Sequence, residues 1–212
     1  AQARQERDRT GPVRNHGFSL EVPSGSATIS TFLQAEMVGL AKTLEGLRSD
    51  ELAAVGERIA FARRVWVAGL GADAGLALNA RLMLARARPA VELLPADSEL
   101  WPLVIASAGP GDLFLVVASR PWPRPIEPLL DFARTARVQV IVLTDPTSVG
   151  KVRRFGATAL VCHGLPQGGI TSQTAFVSMA TLLHIAVVEK LGSTASLRGA
   201  LIDELQEQIS GG

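Results

Sequence analysis

A chain of 212 residues with 47% hydrophobic and 19% charged positions has the composition of a globular soluble protein, one sizeable domain with or without extensions. A net charge of +1 argues against a dedicated nucleic-acid surface, leaving room only for a local patch. A single cysteine, Cys162, allows no internal disulfide and fits a reducing compartment, and with no secretory signal and no apolar run of spanning length the reading is cytoplasmic with no membrane partner.

Residues 1–27 are rich in Arg, Gly, Pro and Ser and read as a linker or arm. The alternating charges from Arg4 to Arg9 suit a short exposed helix, either the end of a detached nucleic-acid-binding module or a solvated leader. Ile29, Phe32, Leu33, Met37, Leu40, Leu44 and Leu47 recur at helical spacing. Ser49 or Asp50 is placed to cap a second helix through Phe61, with Leu52, Val55 and Ile59 inward. A minimal α/β unit needs neither helix, so residues 28–62 form a helical extension suited to a dimer interface.

Residues 63–191 form the main domain. Arg63-Arg64 leads into Val65-Trp66-Val67-Ala68, then the bend Gly69-Leu70-Gly71, then an amphipathic stretch with Leu76, Ala80, Leu82 and Met83. That is a strand, a tight turn and a helix start, where free N–H groups and a partial positive charge suit an anion. A plain turn without ligand is the simpler alternative. Strands follow at Ala90–Leu94, Leu113–Ala118, Val138–Leu143 and Ala157–Cys162. Helices are expected at 97–107, 126–136, 146–155 and 171–191, with loops at 119–125 and 164–169, and residues 192–212 form a helical tail.

Five strands alternating with helices predict an α/β fold: a three-layer αβα sandwich around a five-stranded parallel sheet. Ligands of such sheets sit beyond the carboxyl ends of the strands. The loops at 69–75, 119–125, 144–148 and 164–173 converge there, which marks Gly69, Gly71, Ala72, Asp73, Ser119, Arg120, Arg124, Thr144, Thr171, Ser172 and Gln173 as candidate ligand-binding residues.

Two chemistries compete for this edge. Gly69, Gly71 and Ala74 satisfy a loose G-x-G-x-x-A dinucleotide pattern with Glu92 at the usual distance, although Glu92 falls inside its strand. The other is a phosphosugar site. The runs 63–71, Gly109-Pro110-Gly111-Asp112 through Ser119, Val140 to Asp145 and Phe155 to Val161 resemble the sugar isomerase (SIS) domain over roughly residues 28–190. The preceding helical pair resembles that of RpiR-type bacterial transcription regulators, which carry an N-terminal helix-turn-helix domain ahead of a ligand-sensing SIS domain. The resemblance implies a homodimer that senses a small anionic metabolite, without a cofactor or metal, and that meets DNA only through a domain upstream of Ala1. A chain starting at Ala1 fits a piece cut after such a domain, and this piece alone is expected to bind DNA weakly and without sequence preference. Phosphosugar isomerase is the alternative and a nucleotide-cofactor enzyme the minor one.

The chain departs from the SIS pattern at two places. Asp73 stands where the first loop usually carries a serine, and Ser119 is the only hydroxyl left in Ser119-Arg120-Pro121-Trp122-Pro123-Arg124-Pro125, where S-x-S-G-x-T is usual. Three readings stay open: a re-specialised pocket using Arg120 and Arg124, an Asp73–Arg120 pair that closes it, or a decayed site kept for dimerisation. An isomerase needs a base, and His163, ending the fifth strand, is the best candidate. His16 is in the leader, His184 reads as a core or interface residue, Glu189 as a surface charge and Cys162 as a buried structural thiol. Trp122 between prolines suits stacking on a sugar ring or a lid.

Overall fold

The computed structural model describes residues 26–167 and 170–211. Most of the arm at 1–27, with the Arg4–Arg9 run and His16, and the loop tip at 168–169 lie outside the described residues. Two helices open the described chain: α1 (Ser26–Glu45) and α2 (Ser49–Phe61). Neither Ser49 nor Asp50 caps α2. Arg48 holds the cap position, and its guanidinium grips the Asp50 carboxylate through two hydrogen bonds of 2.9 Å.

The α/β unit then runs β1 (Val65–Ala68), α3 (Ala74–Ala87), β2 (Val91–Leu93), α4 (Trp101–Ile105), β3 (Leu113–Ala118), α5 (Ile126–Ala136), β4 (Gln139–Thr144), α6 (Val149–Arg154) and β5 (Thr158–Val161). The helix expected over 97–107 is shorter. It opens with a 3-10 turn at Ser98–Leu100, and Pro102 sits in the first turn of α4. The loop expected at 164–169 contains paired backbone: β6 (Pro166–Gln167) and β7 (Ile170–Thr171) form a small antiparallel hairpin. Glycines at 168 and 169 hid that pairing behind a loop-like composition. Helices α7 (Thr174–Leu191) and α8 (Ser193–Ser210) complete the chain.

The five parallel strands lie in the order β2-β1-β3-β4-β5. After β1 the chain moves outward to β2 and then crosses back to β3, so the strand order reverses between β1 and β3. Both faces are covered, as a parallel sheet requires. Along β1, Val65 and Val67 face a core closed by α2, α3 and α7, while Trp66 and Ala68 face a second core closed by α4, α5 and α6. Leu113 and Leu115 against Phe114 and Val116 repeat the alternation on β3. Burying each such side chain contributes about 1.5–3 kcal/mol. The strands therefore read as continuous apolar runs because neither face meets water.

Helix α7 is the described helix long and apolar enough to cross a membrane. Its inner face, with Phe176, Met179 and Leu183, is buried against α2 and α3, so it serves here as a core helix. Close approach fixes one contact of this helix and one of α1. A methyl at Gly56 of α2 would sit 2.7 Å from the Ala186 Cβ, and one at Gly39 of α1 would sit 2.5 Å from the His163 carbonyl oxygen. The missing side chains let α2 meet the backbone of α7, and α1 that of the segment after β5.

Candidate functional site

The turn after β1 shows why its glycines are there. A Cβ at Gly69 would lie 2.6 Å from the Asp73 carbonyl oxygen and 2.8 Å from the Ala77 Cβ, so only glycine lets the strand fold this tightly onto α3. Gly71 has φ +59° and opens a 3-10 turn, Gly71–Asp73, which delivers Asp73 to the start of α3. An aspartate in this position ordinarily caps its own helix. Asp73 does not. Its buried carboxylate crosses to the end of β3, where Oδ2 accepts from the Ser119 backbone N–H at 2.9 Å and Oδ1 accepts from the Ser119 hydroxyl at 2.7 Å.

This contact corrects one of the readings left open above. Asp73 is not paired with Arg120. The protein's own anion sits where a helix N-terminus and two hydrogen-bond donors converge at the strand-order reversal, the arrangement an external phosphate would use. Burial pushes the Asp73 carboxyl above its ordinary value, against the opposing pull of the two Ser119 hydrogen bonds.

The other expected residues divide into three groups. Thr144 is fully buried, and its hydroxyl donates to the Ala118 carbonyl at 2.7 Å and accepts from Trp122 Nε1 at 3.4 Å, so it braces β3 against β4. Gln173 donates through Nε2 to the Ala72 carbonyl at 2.8 Å, and the Ser172 hydroxyl donates to Glu36 of α1 at 2.8 Å. The segment before α7, with Thr171 in β7, is thus tied both to the β1 turn and to α1. Arg120 turns away from Asp73 and donates to the Thr147 hydroxyl at 2.7 Å, while Arg124 is exposed and does not line the groove that Arg120 enters.

That groove is an open cavity of about 760 Å³ between the segment after β3 and helix α6. Arg120, Trp122, Thr147, Lys151 and Arg154 line it. Lys151 Nζ lies 4.5 Å from the Trp122 ring centroid and 2.6 Å from Glu127. Thr147, Lys151 and Arg154 escaped the sequence reading. The signal was Lys151-Val152-Arg153-Arg154 just after the Asp145 turn, where positions three apart share one face of a helix.

His163, two residues past β5, lies outside this groove. Its backbone N–H donates to the Thr43 hydroxyl at 2.8 Å, and the residue lines a separate cavity of about 170 Å³ with Lys42 and Arg153. Packing of α1 over the end of β5 moved it there, which the order of elements alone could not foretell. Glu92 lies in the middle of β2, 3.6 Å from Arg64, rather than at the strand tip where a ribose would need it. Cys162 is buried, and burial pushes its thiol far up, away from reactivity. His184 Nδ1 is buried without a hydrogen-bond partner among the described residues, and Glu189 is exposed.

A second buried carboxylate, Asp112, stands before β3 at the opposite edge of the sheet and gives the fold a further pH-dependent group. Burial alone would raise Asp112, but the bidentate Arg63 guanidinium, at 2.8 and 2.6 Å, and the Gly109 N–H at 3.1 Å outweigh it and hold the carboxyl below its ordinary value. The signs then oppose each other. Asp112, lowered in the folded state, contributes stability above its ordinary value of 3.8 that is lost as pH falls through the folded value. Asp73, raised in the folded state, favours folding fully below 3.8, and that contribution is lost as pH rises to the folded value. Urea melts from roughly pH 3 to pH 7 check this. The stability of wild type relative to Asp73→Asn should fall as pH rises, and relative to Asp112→Asn should rise.

The family model of the SIS domain matches residues 58–186 of this chain. No curated protein matches the chain. The sugar isomerase domain of the RpiR transcription factor from Sphaerobacter thermophilus superposes with a TM-score of 0.77 at 22% identity, covering 85% of this chain and 99% of that one. The Vibrio vulnificus NanR protein complexed with ManNAc-6P superposes at 0.73 and 17% identity, over 85% of this chain and 69% of that one. A Methanococcus jannaschii protein whose structure infers a 3-hexulose-6-phosphate isomerase function superposes at 0.58 and 13% identity, over 79% and 97%.

Proposed function

The chain belongs to the SIS-domain family, and on that premise we propose that it is the effector-sensing and dimerising domain of a bacterial RpiR-type transcription regulator. Its effector is a sugar-phosphate-like or other small anionic metabolite, bound in an atypical pocket. The observation that carries this reading is the fit to the RpiR domain, 0.77 over 99% of that domain, against 0.58 for the archaeal isomerase-like protein. The position of His163 supports it as well, since an isomerase must bring a base to the sugar carbons and this histidine lines another cavity. DNA contact belongs to a separate domain in this reading.

Titration of the chain with a panel of sugar phosphates, including ManNAc-6P, tests the proposal by calorimetry and by NMR on the same samples. Saturable binding without conversion is the expected result. Conversion of any panel member at an enzymatic rate would overturn the regulator reading in favour of phosphosugar isomerase.

The assembly is a homodimer in this proposal. Ile29 and Met37 of α1 are 73% and 63% exposed, and Phe32 and Leu33 beside them are also bare. Helix α8 adds a stripe four residues apart: Leu197, Leu201, Leu205 and Ile209, the last 82% exposed. Apolar stripes of this extent on two helices exceed what a monomer leaves in water. Sedimentation at micromolar concentration should show a dimer, and Phe32→Glu with Met37→Glu should shift it toward monomer. A wild-type monomer under those conditions would remove the assembly from the proposal.

A further inference from the structure

We propose that the groove between the segment after β3 and helix α6 is this chain's anion site, one strand removed from the β1–β3 reversal, and that it takes a phosphomonoester attached to a ring. The inference deepens the effector-sensing reading, on which it rests for the idea that a small anion is sensed at all.

The location follows from elimination and charge. The reversal point is filled by Asp73, whose carboxylate already occupies both Ser119 donors. The neighbouring groove is open, and its volume of about 760 Å³ falls within the range of small-ligand sites. Its lining carries three cations, Arg120, Lys151 and Arg154, and no carboxylate. Glu127 offsets Lys151 from outside the lining, at 2.6 Å. Arg120 and Arg154 make no ion pair among the described residues, and the Asp145 carboxylate reaches Arg120 only through the Thr147 hydroxyl.

The chemistry follows from how these groups are held. The Thr147 hydroxyl accepts from Arg120 at 2.7 Å and itself donates to Asp145, which also caps the turn before α6 through the Thr147 N–H at 2.9 Å. Arg120 is thereby fixed while its remaining N–H groups stay available to a ligand. A guanidinium fork matches phosphate oxygens two at a time, which a point charge cannot do. Trp122 supplies the second element. Its indole N–H is tied to Thr144 at 3.4 Å and Lys151 sits 4.5 Å from its ring centroid, so the ring forms a fixed wall beside Pro121. An apolar wall in a groove that also holds two guanidinium groups suits a ring with a phosphate on one end.

Fluorescence and calorimetry on the whole chain test the site with fructose 6-phosphate, ribose 5-phosphate, ManNAc-6P, free fructose, inorganic phosphate and citrate. Trp66 and Trp101 are buried, so a ligand in the groove reads out through Trp122. At least one phosphomonoester should bind saturably and change the fluorescence, free fructose should not bind, and inorganic phosphate should bind more weakly than the ester. Arg154→Ala and Arg120→Ala should each lower affinity roughly tenfold, with Arg120→Lys recovering only part. Trp122→Phe should erase the optical signal while heat of binding persists. On this chain the proposal is overturned by no saturable binding of any phosphomonoester at millimolar concentration, by citrate binding as tightly as the esters, or by ester binding indifferent to Arg120→Ala with Arg154→Ala. In the longer protein with its operator, ester control that survives Arg154→Ala sinks the groove and leaves the regulator. Arg154-dependent ester binding without effect on the operator sinks the regulator and leaves the groove.

Discussion

Serine in place of Asp73 is expected to convert the closed reversal point into an anion site. The carboxylate now accepts both hydrogen bonds that Ser119 can offer, at 2.9 and 2.7 Å. An ionised Asp73 also repels a phosphate brought beside it. One pair of unit charges about 4 Å apart at an effective dielectric near 20 costs about 4 kcal/mol, or roughly a thousandfold in affinity. That is the upper limit of the gain, because burial raises the Asp73 carboxyl and lessens its charge near the acid end of the pH range. Calorimetry with a sugar phosphate on Asp73→Ser against wild type measures it, both in an Arg154→Ala background that weakens the neighbouring groove. A gain of two orders of magnitude or more is expected. Unchanged affinity would mean that something other than the carboxylate keeps ligands out.

That experiment also marks where the sequence was informative. Position 73 stood out because a carboxylate replaces an expected hydroxyl, and the loops at 69–75 and 119–125 do meet, through Asp73 and Ser119. One of the three open readings paired it with Arg120, an opposite charge, whereas the structure pairs it with Ser119. Desolvation decided between them. Asp73 is buried, and a short serine brings its donors into that space without carrying a full charge inward. The five strands were legible as apolar runs because both sheet faces are dry, so period and length agreed. The face of α1 was legible as apolar, but Ile29, Phe32 and Met37 stay at least half exposed among the described residues. The groove was the least legible part, because Lys151 and Arg154 gain meaning only once α6 is laid beside Trp122.

Removing the Arg88 side chain should cost the fold about 3 kcal/mol, the largest loss expected from any surface-distant charge described here. Arg88 is 5% exposed, and its guanidinium faces backbone carbonyls instead of a carboxylate: Ile59, Ala60 at 3.3 Å and Pro89 at 2.9 Å. Two of these belong to the last turn of α2, where unpaired carbonyls and a partial negative charge collect. Burial lowers the Arg88 pKa, yet the group stays charged at any physiological pH. Arg88→Ala leaves those carbonyls buried without partners, at about 1–3 kcal/mol for each that water cannot reach. For a domain of this size the melting temperature should drop by roughly 10 °C. Arg88→Lys should recover only part of it, because one ammonium cannot reach carbonyls on two segments in the same geometry. Thermal and urea unfolding of both variants provide the check, and a loss below about 1 kcal/mol would show that water enters to replace the arginine.

The sheet backbone divides the interior into two compartments with no side chain in common. Trp122, α5 and α6 stand on the compartment of Trp66 and Phe114, whereas α2, α7 and the first turn of α8 stand on that of Val67 and Leu115. Sites that share no partners respond independently to substitution. The wall that carries the basic groove and the stripe on α8 can therefore drift at different rates, whereas α1 meets α6 at the cavity of His163. Under the proposed function, a lineage built on this fold can exchange its effector without renegotiating the α8 side of its association.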